Sequence, residues 1–216
     1  MILGKAKEWG TLSTRVSFAI GETPTRDGTI TPEVEAVILR ELAGYRTKRP
    51  WLVLITMQDT GARPAEVFAM RLENIDWAGR RIWIPTGKTK AAKRWVGISD
   101  RMHLELSTWC RGDEGPGWLF PARTSGSKRG HLNSINHSFK AACVRGGLDT
   151  KLVSYLARHT FGTAAMRATG NTFAVMKAMG HTSVQSMKPY QHQDTDQLTA
   201  AINQRNSEPV QASQTS

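Results

Sequence analysis

Apolar side chains recur at helical spacing in two stretches of the first third of the chain. The first stretch starts at Thr31-Pro32, where a capping hydroxyl precedes a proline suited to the first helical position, and it ends at Gly44. Its apolar stripe consists of Val34, Val37, Ile38 and Leu42. The second stretch, Trp51 to Met57, is nearly continuous in apolar residues and predicts a buried helix that extends to Thr60.

Two short runs with period-two alternation predict a β-hairpin in the middle of the chain. They occupy residues 81–85 and 94–98, and a lysine-rich segment lies between them. Ser99-Asp100 then caps a predicted helix that reaches Cys110. Asn133-Ser134 caps a further predicted helix.

Helical spacing returns in the last third of the chain. One segment runs from Leu152 to Met166, and a second runs from Asn171 to Met179 and is followed by Gly180, a typical residue for a helix C-terminus. The predicted fold class is therefore α+β and mainly α, a helical domain with a small antiparallel β-sheet or hairpin. With 216 residues the chain is long enough for one well-buried core.

The net charge of +11 narrows the class of partner. The excess of Lys and Arg lies in residues 1–193 and not in a terminal tail, which favours a folded surface that binds a polyanion over one that is merely solvated. The N-terminus has no apolar run typical of a signal peptide or a membrane span. The two cysteines lack the pattern of a zinc site or a disulfide framework. A cytoplasmic protein without membrane contact is therefore expected.

Residues 154–192 contain side chains that suit chemistry on a phosphodiester. Arg158 lies on a predicted helix, His181 follows the Gly180 turn, and Tyr190 comes nine residues later. A guanidinium binds phosphate oxygens as a planar fork, a histidine donates to oxygen, and a phenol can attack phosphorus. Pro189 keeps the preceding residue out of helical geometry, so Tyr190 is expected to open a helix or to lie on a mobile turn.

A second arginine of this kind stands upstream. Arg63 follows Thr60-Gly61 at a predicted helix start, and Glu66 three residues later can orient its guanidinium. Taken alone, Arg63 and Glu66 are equally consistent with a structural ion pair. His159 points about 100° away from Arg158 around the helix, which predicts a buried, hydrogen-bonded histidine and not a catalyst.

In order and spacing these motifs resemble those of the tyrosine recombinases, also called phage integrases. The matching segments are Thr60-Gly61 with Arg63 and Glu66, Lys88 in the hairpin, Arg158-His159-Thr160, Gly180-His181 and Tyr190-Gln191-His192. Each motif alone is a weak pattern, but five in register over residues 30–193 are specific. The resemblance implies that family's catalytic fold and a DNA strand transferase that acts in the site-specific recombination and integration of mobile elements.

The resemblance also implies a role for each matching residue. Arg63, Arg158 and His181 would bind the non-bridging phosphate oxygens and stabilise transition-state charge. Lys88 would protonate the leaving 5′ oxygen, and Tyr190 would attack phosphorus to form a 3′-phosphotyrosine intermediate. No metal or other cofactor is expected, because fixed cations would meet the developing charge.

Other residues would support these or contact the DNA. Glu66 and His159 are expected to hold the catalytic side chains in place. Around the hairpin, Lys90, Lys93 and Arg94 are candidate contacts to the DNA backbone. Lys90 also remains an alternative to the catalytic lysine, because both lysines lie in the same turn.

One position departs from the family pattern. The residue three before the second arginine is usually histidine, and here it is Tyr155. A phenol can donate a hydrogen bond to phosphate, but it is a poor base at neutral pH. Tyr155 is therefore a candidate phosphate contact. Activity is expected to survive at a reduced rate, because the stabilisation of transition-state charge contributes more to catalysis than a base at this position.

The resemblance further implies a domain organisation and an assembly. Residues 1–12 are expected to be the end of a core-binding-domain helix, 13–30 a linker, 31–193 the catalytic domain, and 194–216 a C-terminal helix with a partly disordered tail. C-terminal segments of the family dock on a neighbouring protomer. A homotetramer on double-stranded DNA, and mostly monomer without DNA, is expected.

Three functional hypotheses remain at this point. The first is a site-specific recombinase. The second is a nicking-closing enzyme like a type IB topoisomerase, which would form the same covalent intermediate without pairing two DNA sites. The third is a non-catalytic DNA-binding remnant in which Tyr155 marks decay, and the presence of the catalytic arginines, lysine, histidine and tyrosine together disfavours it.

Overall fold

The computed structural model describes residues 28–45, 47–85, 93–111, 116–122, 128–190, 199 and 203. The expected helix end at 1–12, most of the expected linker at 13–30 and nearly all of the expected tail at 194–216 lie outside these residues. Lys88 and Lys90 also lie outside them. The domain boundaries therefore remain predictions.

Two helices begin the described fold, and both are confirmed, the first with its predicted caps and the second with its predicted end at Thr60-Gly61. Helix α1 spans Pro32–Ala43, with the side chain of Thr31 accepting a backbone hydrogen bond at its start and Gly44 at its end. Helix α2 spans Arg49–Thr60 and ends at Gly61. Gly61 has a φ of 62°, a left-handed conformation that favours glycine at a helix end.

Helix α2 is the central helix of the hydrophobic core. Every side chain from Leu52 to Met57 is buried, which explains why this segment reads as a continuous apolar run and not as a stripe. The buried threonines Thr56 and Thr60 are accommodated because each hydroxyl donates to the carbonyl four residues earlier.

A three-stranded antiparallel sheet in the order β1-β2-β3 follows the short helix α3 (Pro64–Phe68) and a 3-10 turn at Leu72–Asn74. The strands are β1 (Ile75–Asp76), β2 (Arg81–Ile84) and β3 (Arg94–Gly97). The hairpin of β2 and β3 is confirmed, with Ile84 opposite Arg94. Strand β1 was not predicted, because two residues are too few to show an alternation of apolar and polar side chains.

Helices α4 (Asp100–Trp109) and α5 (Asn136–Arg145) complete the main core. Ser99 caps α4 as predicted, with its Oγ accepting a backbone hydrogen bond of 3.1 Å from the first turn. The predicted cap at Asn133-Ser134 is wrong. The hydroxyl of Ser134 instead accepts from the N–H of Asn136 at 3.1 Å, and this local turn delays the start of α5.

The last helices are α6 (Leu156–Thr169), α7 (Thr172–Met179) and a 3-10 helix (Val184–Tyr190). Helix α6 starts later than the predicted Leu152 and packs against α2. Helix α7 is confirmed, with the side chain of Asn171 at its start and Gly180 at its end. The expectation that Tyr190 opens a helix is wrong, because Pro189 and the residues before it already belong to the 3-10 helix. The alternative, a mobile turn, stays a prediction.

The fold class is the predicted one, mainly helical with one small antiparallel sheet. The main core joins buried residues of α1 to α5, the sheet and the first turn of α6. A second, separate cluster comprises Val175, Met179, Met187 and Tyr190. Among the described residues, no helix combines the length and the apolar character that a membrane crossing requires.

Candidate active site

The C-terminal end of α7 is the centre of the candidate site. Carbonyls in the last turn of a helix lack a partner within the helix and carry partial negative charge. Here three consecutive carbonyls each accept a hydrogen bond from a different arginine. The bonds run from Arg94 Nε to Ala178 O (2.6 Å), from Arg158 Nη2 to Met179 O (2.9 Å) and from Arg63 Nη2 to Gly180 O (3.0 Å).

Arg63 reaches this centre from the start of α3. The left-handed Gly61 ends α2, and Pro64 occupies the first turn of α3, so Arg63 becomes the N-cap residue with an extended backbone. The side chain of Arg63 is 40% exposed. Part of its guanidinium is therefore accessible to a ligand while Gly180 holds one nitrogen.

Glu66 joins two of the arginines. Its carboxylate accepts from the N–H and from Nη1 of Arg63, both at 2.9 Å, and from Nη2 of Arg94 at 3.0 Å. Burial by itself would raise the pKa of Glu66, but the hydrogen bonds from Arg94 and Arg63 outweigh it and hold the pKa below its usual range. Glu66 is therefore a buried anion between two cations.

Arg158 is the most deeply buried of the three arginines, with only 1% of its surface exposed. It lies in the first turn of α6 and donates to the carbonyls of Gly61 and Met179. Burial and the neighbouring charge of Arg63 lower the pKa of Arg158. A guanidinium stays protonated in proteins, so this group is a fixed cation.

His181 lies beside Arg158. Its Nε2 is 2.7 Å from Nη2 of Arg158, and because a guanidinium can only donate, Nε2 is the acceptor and the ring proton lies on Nδ1. Burial, followed by the charges of Arg158, Arg63 and Arg94, lowers the pKa of His181 to about 4. The ring is therefore neutral at physiological pH, with Nδ1 left as a donor.

Tyr190 packs into the same site and is only 5% exposed. Its ring centroid lies 4.9 Å from that of His159 and 6.1 Å from that of His181. Burial raises the pKa of the Tyr190 phenol, although the charge of Arg158 opposes this effect. Tyr190 is therefore protonated at neutral pH, and its oxygen has to lose a proton before it can act as a nucleophile.

Gly162 makes room for Tyr190 in the middle of α6. A Cβ at this position would lie 2.6 Å from both Cδ1 and Cε1 of the Tyr190 ring and 3.0 Å from the sulfur of Met179. Gly162 is not among the residues predicted from the sequence. Its signal was a glycine inside a helical pattern, which often marks the close approach of another group.

Tyr155 is at the edge of the site. It is the N-cap residue of α6 and is half-buried, and its phenol is close enough to affect the pKa values of Arg158 and Tyr190. Tyr155 also lines a groove of about 810 Å³ that includes Pro64 and Ala65, next to Arg63. Tyr155 is therefore close to the arginines that are candidates for binding a phosphate.

The structure brings together most of the predicted site residues. They are Arg63, Glu66, Tyr155, Arg158, His159, His181 and Tyr190. Lys88 and Lys90 lie outside the described residues, and Lys93 is exposed at the start of β3.

Arg94 requires a correction. It was expected to contact DNA, but its side chain is only 5% exposed and is bonded to Glu66 and to the carbonyl of Ala178. The alternation of β3 already carried the signal for this burial. Arg94 shares a strand face with Val96, which is buried in the core.

Solved structures share this architecture. The crystal structure of XerA recombinase aligns with a TM-score of 0.63 and 16% identity over 94% of this chain and 72% of that chain. The Tn1549 transposon integrase in complex with transposon right end DNA aligns with a TM-score of 0.69 and 16% identity, covering 92% of this chain and 70% of that chain. The fold is that of tyrosine recombinase catalytic domains.

The sequence comparison is consistent with this fold. The family model described as "Phage integrase family" matches residues 32–197. Tyrosine recombinase XerC of Erythrobacter litoralis is 31% identical over 123 residues, which are 56% of this chain and 39% of that protein. Tyrosine recombinase XerA of Saccharolobus solfataricus is 23% identical over 164 residues, 76% of this chain and 53% of that protein. The chain belongs to the phage integrase family, and it spans about half the length of these curated relatives.

Replacement of Gly162 by alanine is expected to displace Tyr190 from its packed position. The added Cβ would overlap the tyrosine ring, and overpacking costs about 1–3 kcal/mol, more than the gain of about 1 kcal/mol in helix propensity. Amide hydrogen exchange in residues 184–190, measured by mass spectrometry, should become faster. Gly97→Ala is the matched control, because a Cβ there meets no atom within 4 Å. Equal exchange in both variants would contradict the packing of Tyr190 on α6.

The depressed pKa of His181 predicts a pH dependence of stability. The pKa is about 4 in the folded protein and 6.5 without the protein environment, so the unfolded state binds more protons between these values. The free energy of unfolding should therefore fall as the pH drops from about 6.5 to about 4. Urea denaturation should show this fall in the wild type and a smaller one in His181→Gln. An NMR titration of His181 with a midpoint near 6.5 would refute the assignment.

Proposed function

We propose that this chain supplies the catalytic part of a site-specific DNA recombinase, an integrase that cleaves and rejoins DNA through a 3′-phosphotyrosine intermediate. The observation that carries the proposal is the packing of Tyr190 among Arg63, Arg158 and His181. These residues come from α3, α6 and the segment after α7, so local sequence spacing does not account for their convergence. Membership of the phage integrase family supports the same function.

The two arginines and the histidine suit the transition state of phosphoryl transfer. Attack on phosphorus increases the negative charge on the non-bridging oxygens, and fixed cations stabilise this charge more than that of the ground state. Arg63 and Arg158 are already held by backbone carbonyls, so they need little reorganisation. His181 adds a neutral donor at Nδ1.

The proposed step exchanges one phosphoester bond for another. The Tyr190 oxygen forms a bond to phosphorus and loses its proton to solvent water, while the bond from phosphorus to the 5′ oxygen breaks. Lys88 donates a proton to the leaving 5′ oxygen, a role that rests on the hairpin motif. The 5′ hydroxyl of a second strand then reverses the step, so rejoining needs no external energy source.

Access to the site requires movement of the last 3-10 helix. Tyr190 and Arg158 are both buried in the DNA-free arrangement, and Tyr190 ends the helix Val184–Tyr190. When this helix moves, Arg158 becomes accessible to a phosphate and the Tyr190 oxygen becomes free to turn toward phosphorus. Tyr190 thus already lies close to Arg158 and His181, which would stabilise the transition state of its attack.

The proposed partner is double-stranded DNA. The net charge of +11 provides the electrostatic attraction, and exposed Lys93 is a candidate backbone contact. The neighbouring structures of the Tn1549 transposon integrase and of XerH were solved with transposon right end DNA and with difH substrate, respectively.

Strand exchange between two duplexes needs one protomer for each cleaved strand, so we propose a homotetramer on DNA in the cytoplasm and a monomer without DNA. Recombination is preferred to topoisomerase-like relaxation, because the relatives described above are recombinases and an integrase.

The nucleophile can be tested with a nicked duplex that carries the attachment site of the encoding genetic element. Loss of the short leaving strand from the nick traps the covalent intermediate, so the wild type should give a protein–DNA band on a denaturing gel. Tyr190→Phe should give no band, because the attacking oxygen is absent. Tyr45→Phe is the matched control and should retain the band, since Tyr45 contacts Arg145 on another part of the fold.

Other results of this assay would contradict parts of the proposal. A band that persists in Tyr190→Phe would place the nucleophile elsewhere. A wild type that binds DNA in a salt-sensitive manner but never forms the band would support the non-catalytic remnant. A native gel of the same reactions counts the protomers in each complex and tests the homotetramer.

Tyr155 is expected to limit the rate without abolishing activity. Tyr155→His should raise the rate of covalent complex formation by on the order of tenfold, because imidazole can accept a proton at neutral pH and phenol cannot. Tyr155→Phe should lower the rate, because it removes the hydroxyl next to Arg158 and Tyr190. Single-turnover rates at saturating DNA measure both effects. Equal rates in all three proteins would show that this position contributes little.

A further inference from the structure

Arg94 is the third arginine at the end of α7, and the mechanism above gives it no task. Its Nε donates to the carbonyl of Ala178 at 2.6 Å, and its Nη2 donates to Oε2 of Glu66 at 3.0 Å. The side chain is 5% exposed. One buried guanidinium thus joins β3, where it originates, to both α3 and the last turn of α7.

We propose that Arg94 is a positioning residue for strand cleavage, which fixes the Arg63–Glu66 pair and the His181 turn relative to each other. The proposal rests on the function proposed above and extends it to a residue outside the recognised motifs. Arg94 touches neither the nucleophile nor the phosphate in this scheme. It acts through two neighbours, Glu66 and the backbone at Gly180.

Glu66 transmits the position of Arg94 to Arg63. Its carboxylate is shared, with two bonds from Arg63 and a buried fork from Arg94. The side chain of Arg63 is 40% exposed, whereas those of Glu66 and Arg94 are 7% and 5% exposed. The buried pair of Glu66 and Arg94 therefore fixes the orientation of the accessible Arg63 guanidinium.

Gly180 transmits the position of Arg94 to His181. A Cβ on residue 180 would lie 2.6 Å from Nη1 of Arg94, so the backbone of the turn lies directly against the guanidinium. Gly180 also has a φ of 67°, and His181 is the next residue. Arg94 Nε is also bonded to the carbonyl of Ala178, two residues before Gly180, so Arg94 contacts this turn at two points.

Arg94→Lys tests this proposal, because it keeps the charge but replaces the planar fork by an ammonium that cannot reproduce the same set of bonds. The single-turnover cleavage rate at saturating DNA should fall by on the order of tenfold to a hundredfold, the effect of a small misplacement of catalytic groups. The Kd for DNA and its salt dependence should remain those of the wild type. In a Glu66→Gln background, Arg94→Lys should lower the rate by a smaller factor than it does in the wild type, because the contact through Glu66 is already altered while the contact with the backbone of Ala178 and Gly180 is still present to be lost.

Arg81→Lys is the matched control. Arg81 lies on the neighbouring strand β2 and pairs with Asp76 at 2.8 Å, and its side chain is 49% exposed. Its guanidinium also lies over the Trp95 ring, and neither Asp76 nor Trp95 belongs to the candidate site. It should leave the cleavage rate unchanged. An unchanged rate in Arg94→Lys, or a weaker Kd as its main effect, would overturn the positioning role.

NMR separates failure of this proposal from failure of the proposed function. In the DNA-free protein, the ring signals of His181 should shift in Arg94→Lys and stay in place in Arg81→Lys. Ring signals that do not shift in Arg94→Lys would overturn the proposal, whether or not the wild type cleaves DNA. A wild type that forms no covalent complex would instead overturn the proposed function.

Discussion

The candidate site depends on the hydrogen bonds between three arginines and the backbone at the C-terminal end of α7. The carbonyls of Ala178, Met179 and the capping Gly180 accept hydrogen bonds from Arg94, Arg158 and Arg63, respectively. These arginines come from α3, β3 and α6, so a backbone feature gathers side chains whose charges would otherwise keep them apart. The left-handed Gly180 ends the helix at this point and places His181 beside the cluster.

The net charge of the cluster accounts for the neutral state of His181 and makes the site suitable for an anion. Glu66 is a buried carboxylate bonded to Arg63 and Arg94, so the three guanidinium groups retain an excess of positive charge. Burial and this excess keep His181 neutral, because protonation would add a further cation. An anion that binds here relieves the same repulsion. A site that is electrostatically unfavourable without a ligand is therefore suited to a phosphate, and more so to the additional charge of a transition state.

The helix starts that could be predicted from the sequence are those whose capping side chain is followed directly by helical spacing. The caps at Thr31 and Ser99 were predicted correctly, since a hydroxyl followed by helical spacing specifies a helix start within one turn. Prediction failed for a side chain whose burial depends on hydrogen-bond partners that are distant in the sequence. Arg94 is buried because Glu66, 28 residues away, and Ala178, 84 residues away, accept its hydrogen bonds, and no local pattern shows such partners. The alternation of β3 indicated the buried face, but the usual exposure of arginine favoured the wrong interpretation.

In the proposed mechanism, the packing of Tyr190 would hold the nucleophile in place until the 3-10 helix moves. A glycine inside a helix costs roughly 0.5–1 kcal/mol, and at Gly162 the tyrosine ring fills the space that a side chain would occupy. Tyr190 belongs to the small cluster with Val175, Met179 and Met187, which is separate from the main core. Displacement of the 3-10 helix would therefore disrupt this cluster and the ring contacts of Tyr190 with His159 and His181, while the main core has its own set of buried residues. Exposure would also remove the burial that raises the pKa of the phenol while the charge of Arg158 remains nearby, so in the proposed mechanism one movement would both release Tyr190 and favour loss of its proton.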